Sequence, residues 1–400
     1  MPVAPPWLAP ALLGLALLLV AVAAYAYVGY PLLVRLLPAR ARGGVASTPR
    51  SELPSVSVLV AARNEAPVIR ERIDNLLAQS YPPDRLEVLV VSDASDDATD
   101  AIVAAIDDPR VRLVRQPRRR GKTAGINRLG EMARGEIIVQ TDANAMFAPG
   151  CVAELARAFV DPRVGVAIGE VRFINADEPS VAAGEGLYWR FETWTKRNEA
   201  ARDMLCTANG AVYAVRRGLW RALPEEIAGD AAEPLLAARA GYRTVVVPGA
   251  RAFERAAGGP VEELRRKVRI IAQQVACARW IGLASLPRRI RFAYVSHKLL
   301  RYAVPFLLAG ALLAALGAGA LGSVAGWVVA ALIVAPLVVA PLGLLPLPGI
   351  AGRAARLALY FAMLLVASVR GVLRGLAGRA PAVWEIPHST RAPAGPRRGR

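Results

Sequence analysis

The side chains with chemical potential in this chain stand where apolar runs stop. The run "EIIVQTDANAMF" (residues 136–147) ends at Asp142, with Asn144 two places on. "LEVLVVSDASDD" ends at Asp93, with Asp96 and Asp97 behind it, and "VSVLVAARNE" ends at Arg63, Asn64 and Glu65. Asp97 taken alone reads equally well as a helix cap. Caps do not explain an aspartate directly after each of two apolar strands, because a helix needs one cap and serine or threonine serves as well. A carboxylate and an amide two residues apart offer the oxygen donors that a hard divalent cation takes, and such a cation needs only one or two protein groups when a substrate phosphate completes its shell. "RRRGKTAGIN" (residues 118–127) adds Lys122 at a helix start, where a cation and unpaired N–H groups can meet an anion.

Other chemistries are excluded by what is missing. No G-x-G-x-x-G follows a strand and no G-x-x-x-x-G-K-[ST] occurs, so neither the dinucleotide fingerprint nor the Walker phosphate loop is present. Cys151, Cys206 and Cys277 lie far apart and there are two histidines, which leaves no disulfide framework or zinc cluster and fits a reducing compartment.

The elements that must carry these residues alternate between residues 55 and 247: "SVSVLVAA", "APVIRERIDNLLAQ", "LEVLVVS", "DATDAIVAAI", "RVRLVRQ". Continuous apolar strands with helices between them predict an α/β domain with a mainly parallel sheet covered on both faces. Ligands of such a sheet bind beyond the C-terminal ends of its strands, where the acidic residues stand.

Surplus apolar sequence is gathered at the two ends of the 400 residues. Leu8 to Leu37, and Tyr302 to about Val369, both exceed the roughly 20 residues a membrane-spanning helix needs. The first stretch lacks a preceding positive charge and is about twice a signal-peptide core in length, so an anchor is read here, with a cleaved signal as the alternative. Arg35, Arg40, Arg42 and Arg50 follow it, which places the central domain on the cytoplasmic side. The second stretch divides into spans near 303–321 and 324–345 and a third apolar segment near 353–370. If the third crosses, the basic tail lies outside against the charge rule; if it lies in the interface or re-enters, the tail stays inside, which is the reading preferred. The formal charge of +18 clusters beside these segments, which points to anionic membrane lipids and away from nucleic acid. In "VEELRRKVRIIAQQVACARW", Val261, Leu264, Val268, Ile271 and Val275 form one helical stripe, with Arg265, Arg266 and Arg269 opposite, a pattern expected of an amphipathic basic helix at the membrane surface.

"VLVAARNE", "VVSDASDDATD", "GKTAGIN", "TDAN", the pair Gly229–Asp230 and "RRKVRII" occur in the order and spacing of glycosyltransferase family 2, and from about Val56 to Arg301 the chain resembles that family's membrane-embedded branch, which makes polysaccharides or glycolipids. "VWEIPHSTR" near the end extends the likeness. The resemblance implies a Rossmann-like A-type fold flanked by transmembrane helices and an inverting transfer from a nucleotide-diphosphate sugar, UDP-sugars first. It implies that Glu65 and Asp93 contact the nucleoside, that Lys122 sits near the phosphates, and that Asp142 with Asn144 holds Mg²⁺ or Mn²⁺, Asn144 standing where many relatives have a second aspartate. In the same way Asp230 falls on the general base, with Glu233 one turn on as its rival. Gly210 in "TANGAVYAVRR", Trp189 or Trp194, Arg266 and Arg269 fall on the acceptor side. Leu187, Phe191 and Trp194 follow helical spacing and read mostly as core. Long processive synthases carry Gln-x-x-Arg-Trp before the first C-terminal span; Arg279 and Trp280 are present but Ala276 replaces the glutamine, which leaves processivity open.

The expected organisation is an anchor and basic linker (1–53), a cytoplasmic transferase domain (54–259), amphipathic basic interfacial helices (260–301), transmembrane helices (302–375) and a basic tail (376–400). The expected partners are a nucleotide-sugar donor, a lipid-linked or saccharide acceptor and anionic lipids, with the oligomeric state undetermined. The alternative, a non-catalytic nucleotide-sugar-binding subunit of a glycan assembly or export complex, would keep Asp93 and Asp142 but tolerate loss of Asp230.

Overall fold

The computed structural model describes residues 5–40, 53–174, 181–255 and 259–383, and of 181–187 the backbone alone. Arg42, Arg50, the side chain of Leu187 and the motif beyond Val383 lie outside the described residues. The centre is an eight-stranded sheet in the order β3-β2-β1-β4-β7-β6-β8-β5. Its strands are β1 (Val56–Ala62), β2 (Leu86–Ser92), β3 (Val111–Arg115), β4 (Ile137–Asp142), β5 (Met146–Phe147), β6 (Val164–Phe173), β7 (Val212–Arg216) and β8 (Arg243–Glu254). β1 shows why the strands read as unbroken apolar runs: all seven of its residues are buried. Val56, Val58, Val60 and Ala62 pack in one core with Ile69, Ile73 and Leu76, whereas Leu59 and Ala61 pack in another with Leu129 and Tyr213. Those cores are closed by α3 (Ile69–Leu77), α4 (Thr99–Ala104) and α6 (Cys151–Arg157) on one side and by α5 (Lys122–Met132) on the other.

The expected parallel order holds for β3, β2, β1 and β4. Beyond β4 the sheet is mixed. β7 pairs antiparallel with β4 and β6, β6 and β8 are parallel, and β5 is antiparallel to β8. β7 arrives from the opposite direction because α7 (Val181–Ala200) and the segment after it carry the chain across before β7 begins. This puts the start of β7 beside the end of β4, with Thr141 in register with Val212.

After α8 (Gly229–Arg239) and β8, α9 (Pro260–Ile281) and α10 (Arg288–Tyr294) lead to α11 (Leu300–Ala320), α12 (Val324–Val339) and α13 (Gly349–Leu376). Among the described residues, four stretches are long and apolar enough to cross a membrane: Leu8–Leu36, Arg288–Ala320, Val324–Leu344 and Gly349–Leu376. In the first, α1 (Leu8–Ala24) and α2 (Tyr30–Leu36) are joined by a π-helical turn at Tyr25–Gly29; in the second, α10 and α11 are joined by another at Val295–Leu299. Ala16, Ala314, Ala315 and Ala330 form a shared contact of α1, α11 and α12, the small residues that allow close helix approach where lipid removes the hydrophobic driving force.

The apolar stripe of α9 meets protein. Val268, Ile271 and Val275 pack with Ala367 of α13, and Gly371 and Gly375 bring the two helices together, while Val261 alone of the stripe stays exposed. Arg279 then donates to the carbonyls of Gly375 and Leu376 at 3.1 and 2.6 Å, closing the end of α13. From there the chain turns back onto the soluble domain. Gln273 Nε2 donates to the Pro381 carbonyl at 3.0 Å, and the Ala382 carbonyl lies against Gly121. Gly121 has φ +99°, and a side chain there would also collide with Ala382, so both constraints demand glycine.

Candidate active site

The end of β4 is held from behind by Arg72, which is buried against Phe147, with its centroid distance 4.2 Å. Its Nη2 donates to Thr141 Oγ1 at 2.8 Å, and burial pulls its pKa down to about 9. Asp142 follows directly and is ion-paired with Lys122 at the start of α5. Lys122 also lies 3.5 Å from the Gly210 carbonyl. A Cβ on Gly210 would stand 3.4 Å from Asp230 Oδ2 and 4.0 Å from Lys122 Nζ, so Asp142, Lys122, Gly210 and Asp230 converge on one small volume. Asp230 is in the first turn of α8 and is tied to the same strand entry by its own carbonyl, which accepts from Ala208 N at 2.7 Å. Its carboxylate has no hydrogen bond or ion pair among the described residues, and it lines the cavity. α5 sets the approach to α8: Thr123 Oγ1 donates to the Ile227 carbonyl at 2.8 Å, and Asn127 exchanges bonds with Leu223 at 2.7 and 3.0 Å.

One cavity of about 990 Å³ is lined by Glu65, Lys122, Asp142, Asn144, Gly210 and Asp230. Asp93 does not line it. Its carboxylate is buried and accepts from Gln116 Nε2 (3.1 Å), Arg120 N (2.7 Å) and Gly121 N (2.9 Å), so in this structure it anchors the loop that presents Lys122. Asp97 is a turn residue, accepting from Thr99 N at 2.9 Å and Ala66 N at 3.1 Å. The donor set at β4 suits a divalent cation. Lys122 touches Asp142 through Oδ1, and Asn144 shares the cavity wall, so a residue with a carboxylate and one with an amide border the same space.

Glu233 lies beneath Asp230. Gln140 Nε2 donates to Glu233 Oε1 at 2.6 Å, Tyr213 O–H donates to Gln140 Oε1 at 2.6 Å, and Glu233 Oε2 is buried without a partner. Burial pushes Glu233 up to about 8, so it is largely protonated at neutral pH. A side chain held in this way cannot swing to an acceptor hydroxyl without breaking a buried bond, whereas Asp230 can be reached directly.

The same cavity continues toward the membrane helices, where Tyr27, Trp189, Lys267, Lys298, Arg301 and Ser368 line it. Trp189 faces this space, while Trp194 is 37% exposed and stacks on Phe191 at 6.3 Å, which separates the two tryptophans. Arg266 and Arg269 also line the cavity. Arg266 bonds Glu263 at 2.7 and 3.0 Å, and burial, then the adjacent Arg266, hold Arg269 below the usual arginine range. Sequence reasoning missed Glu192, Lys196, His297, Lys298 and Arg301. The available signal was charge inside the otherwise apolar "YVSHKLLRY", since ionisable groups in such a stretch mark function or a buried partner. Glu199, Cys206 and His297 bring potential metal-ligand atoms within 4.8 Å, but both His297 ring nitrogens already contact carboxylates, Glu199 at 2.7 Å and Glu192 at 2.9 Å.

The α/β sheet thus brings acidic strand ends, a basic helix start and a carboxylate on the facing helix to one cavity. Residues 57–219 match the model of glycosyl transferase family 2, and the chain carries a domain of that family. It is 28% identical over 231 residues to an N-acetylglucosaminyltransferase of Rhizobium leguminosarum bv. viciae, covering 52% of this chain and 54% of that protein. It is 29% identical over 196 residues to a beta-monoglucosyldiacylglycerol synthase of Trichormus variabilis, covering 46% and 42%. The chain thus spans about half the length of the curated relatives it matches. A solved mannosyltransferase from Pyrobaculum calidifontis, in complex with GDP-Man and Mn²⁺, superposes with TM-score 0.69 at 26% identity, over 92% of this chain and 99% of that one.

Proposed function

We propose that the chain is an inverting glycosyltransferase that moves a sugar from a nucleotide-diphosphate sugar to a lipid-linked or saccharide acceptor at the cytoplasmic membrane face. The observation that carries this reading is the partnerless Asp230 carboxylate, set beside the open space at Gly210 and next to the Asp142–Lys122 pair, in a cavity that runs on to the apolar helices. The donor's diphosphate lies along Lys122, with Asp142 and Asn144 as oxygen ligands for Mg²⁺ or Mn²⁺. The cation, when bound, offsets charge on the departing diphosphate. The acceptor hydroxyl approaches over Gly210, gives its proton to Asp230 and attacks the anomeric carbon as the bond to the diphosphate oxygen breaks. Asp93 serves the donor by fixing the 116–121 loop, and Glu65 closes the nucleoside end.

The residues after α13 support a tail on the same side as the soluble domain, because Pro381 and Ala382 rest on it. If all three C-terminal stretches crossed, the tail would emerge on the opposite face. An even number of crossings fits, and α13 is the one to lie in the interface, since its C-terminal half is bound along α9.

The test is nucleotide release by the full-length protein in detergent from a panel of UDP-, GDP- and dTDP-sugars, with membrane lipid extract as acceptor. Metal-dependent release with a glycosylated lipid product is expected. No release from any donor, or a rate unchanged by chelation, overturns the reading.

A further inference from the structure

The membrane-facing half of the cavity carries buried positive charge at Lys196, Lys267, Lys298 and Arg301, with the half-buried Arg266 beside them. Lys196, Arg266, Lys267, Lys298 and Arg301 are set against the carboxylates of Glu192, Glu199 and Glu263. Glu192 is shared by His297, Lys298 and Arg301, with Arg301 Nη1 at 3.0 Å. Glu263 is shared by Arg266 and Lys267, the latter at 3.3 Å. Among the described residues, Lys196 finds only neutral oxygens as hydrogen-bond partners, the Ala208 carbonyl at 2.9 Å and Asn209 Oδ1 at 2.6 Å. A buried cation without a carboxylate partner is costly out of water, so a chamber that holds Lys196 in that state favours an anion.

Two donors are left open to receive it. Arg301 is 5% exposed, its Nε is taken by the Ala26 carbonyl at 3.1 Å, and its Nη2 is buried without a hydrogen-bond partner. Trp189 Nε1 is likewise buried without one, although the ring lines the chamber. Tyr27 and Phe191 hold the Arg301 guanidinium at 5.4 and 5.2 Å, so its free edge has a set direction. The π-helical turns at Tyr25–Gly29 and Val295–Leu299 supply Tyr27 and Lys298, a backbone irregularity that recurs at functional sites. The chamber joins the reaction centre through Lys196 and Asn209, the latter adjacent to Gly210, and it opens among helices apolar enough to cross a membrane.

We infer that this chamber binds the phosphate or diphosphate of a lipid-linked saccharide acceptor, with Arg301 and Lys298 as its main cationic contacts and Trp189 as a neutral donor. The lipid lies between α1, α11 and α13, the phosphate sits in the chamber, and the saccharide extends over Gly210 to bring its hydroxyl to Asp230. The inference rests on the proposed transfer and narrows its acceptor: a lipid joined through phosphate binds, and a neutral glycolipid does not bind comparably.

Binding of radiolabelled farnesyl phosphate and of farnesol to the full-length protein in nanodiscs of neutral lipid reads this directly. Farnesyl phosphate is expected to bind about tenfold or more tightly than farnesol, the size of a lost charge-assisted contact. Arg301→Gln and, separately, Lys298→Gln should remove most of that preference, and Arg301→Lys should restore part of it. Inorganic phosphate should compete only weakly, because it lacks the lipid; competition as strong as that of farnesyl phosphate would make the chamber a free-phosphate site and overturn the lipid assignment. Equal binding of the two lipids by the unaltered protein also overturns it, whether or not the variants fold. Binding of UDP- and GDP-sugars by the same nanodiscs separates the two proposals: nucleotide binding without a phosphate-lipid preference sinks only this inference, and its absence sinks the transfer itself.

Discussion

At the residue scale two carboxylates one turn apart, Asp230 and Glu233, stand in different surroundings, the first at the open space by Gly210 and the second buried against Gln140. Asp230→Asn is expected to lower transfer about 10²-fold or more while metal-dependent nucleotide binding persists, because the side chain serves the acceptor proton. Rates and binding measured on the same preparation check this, and wild-type turnover would move the role to Glu233. Glu233 carries a different signature. Its ordinary value is 4.5 and burial raises it to about 8, so the native state holds a proton that the unfolded chain gives up, and its contribution to stability is complete below pH 4.5 and lost as pH rises toward 8. Thermal unfolding of the wild type and of Glu233→Gln across pH 5–8 should show a falling midpoint in the first and a flatter one in the second. At the end of β4, Asp142→Ala should abolish both transfer and cation-dependent nucleotide binding. Asn144→Ala should cost less, since water can replace an amide oxygen around a hydrated cation, and Asn144→Asp should tighten the metal. Isothermal titration of Mn²⁺ with nucleotide present ranks the three.

At the scale of elements, the sheet carries Asp142 and the α9–α13 pair borders the membrane-facing half of the same cavity. α5 is tied to the approach to α8 by Thr123 and Asn127 and to β4 by the Lys122–Asp142 pair, and α8 is tied to the entry of β7 by the Ala208–Asp230 bond. α9 brings Arg266, Lys267 and Arg269 to the cavity, and its other face is sealed by α13 through glycines. A Cβ on Gly375 would lie 2.7 Å from Val275 Cβ and 2.8 Å from the Ala272 carbonyl. Gly375→Val should therefore force the helices apart at a cost of about 1–3 kcal/mol, the usual size of overpacking. A lowered unfolding midpoint in detergent, with Gly218→Val as an exposed control, tests it; a neutral result would mean that α13 does not pack on α9 as described.

At the scale of the whole molecule, the chain leaves the soluble domain into apolar helices and comes back to it, and that return governs topology. Ala392→Cys should resist an impermeant thiol reagent in intact cells and react after lysis, while Ser323→Cys, between α11 and α12, should react in intact cells. The native Cys151, Cys206 and Cys277 are buried and do not confuse the readout. Labelling of Ala392→Cys in intact cells would mean that the tail crosses. Much of this architecture was legible in order alone. Strands buried on both faces must be apolar throughout, so β1, β2 and β4 and the polar groups that end them stood out, as did the long apolar stretches, whose length is set by the membrane. Asp142, Lys122 and Asp230 stood out as candidates because each lies at a strand or helix end, a position that local pattern reveals. What local pattern could not reveal was direction and pairing over long separations. It did not show that β7 runs antiparallel to β4, that Asp93 turns inward to its loop while Trp189 turns to the cavity, or that α13 rather than lipid covers α9. The cationic chamber is the strongest case: Lys196, Lys267, Lys298 and Arg301 lie on three helices, and only their packing turns scattered charges into one buried site.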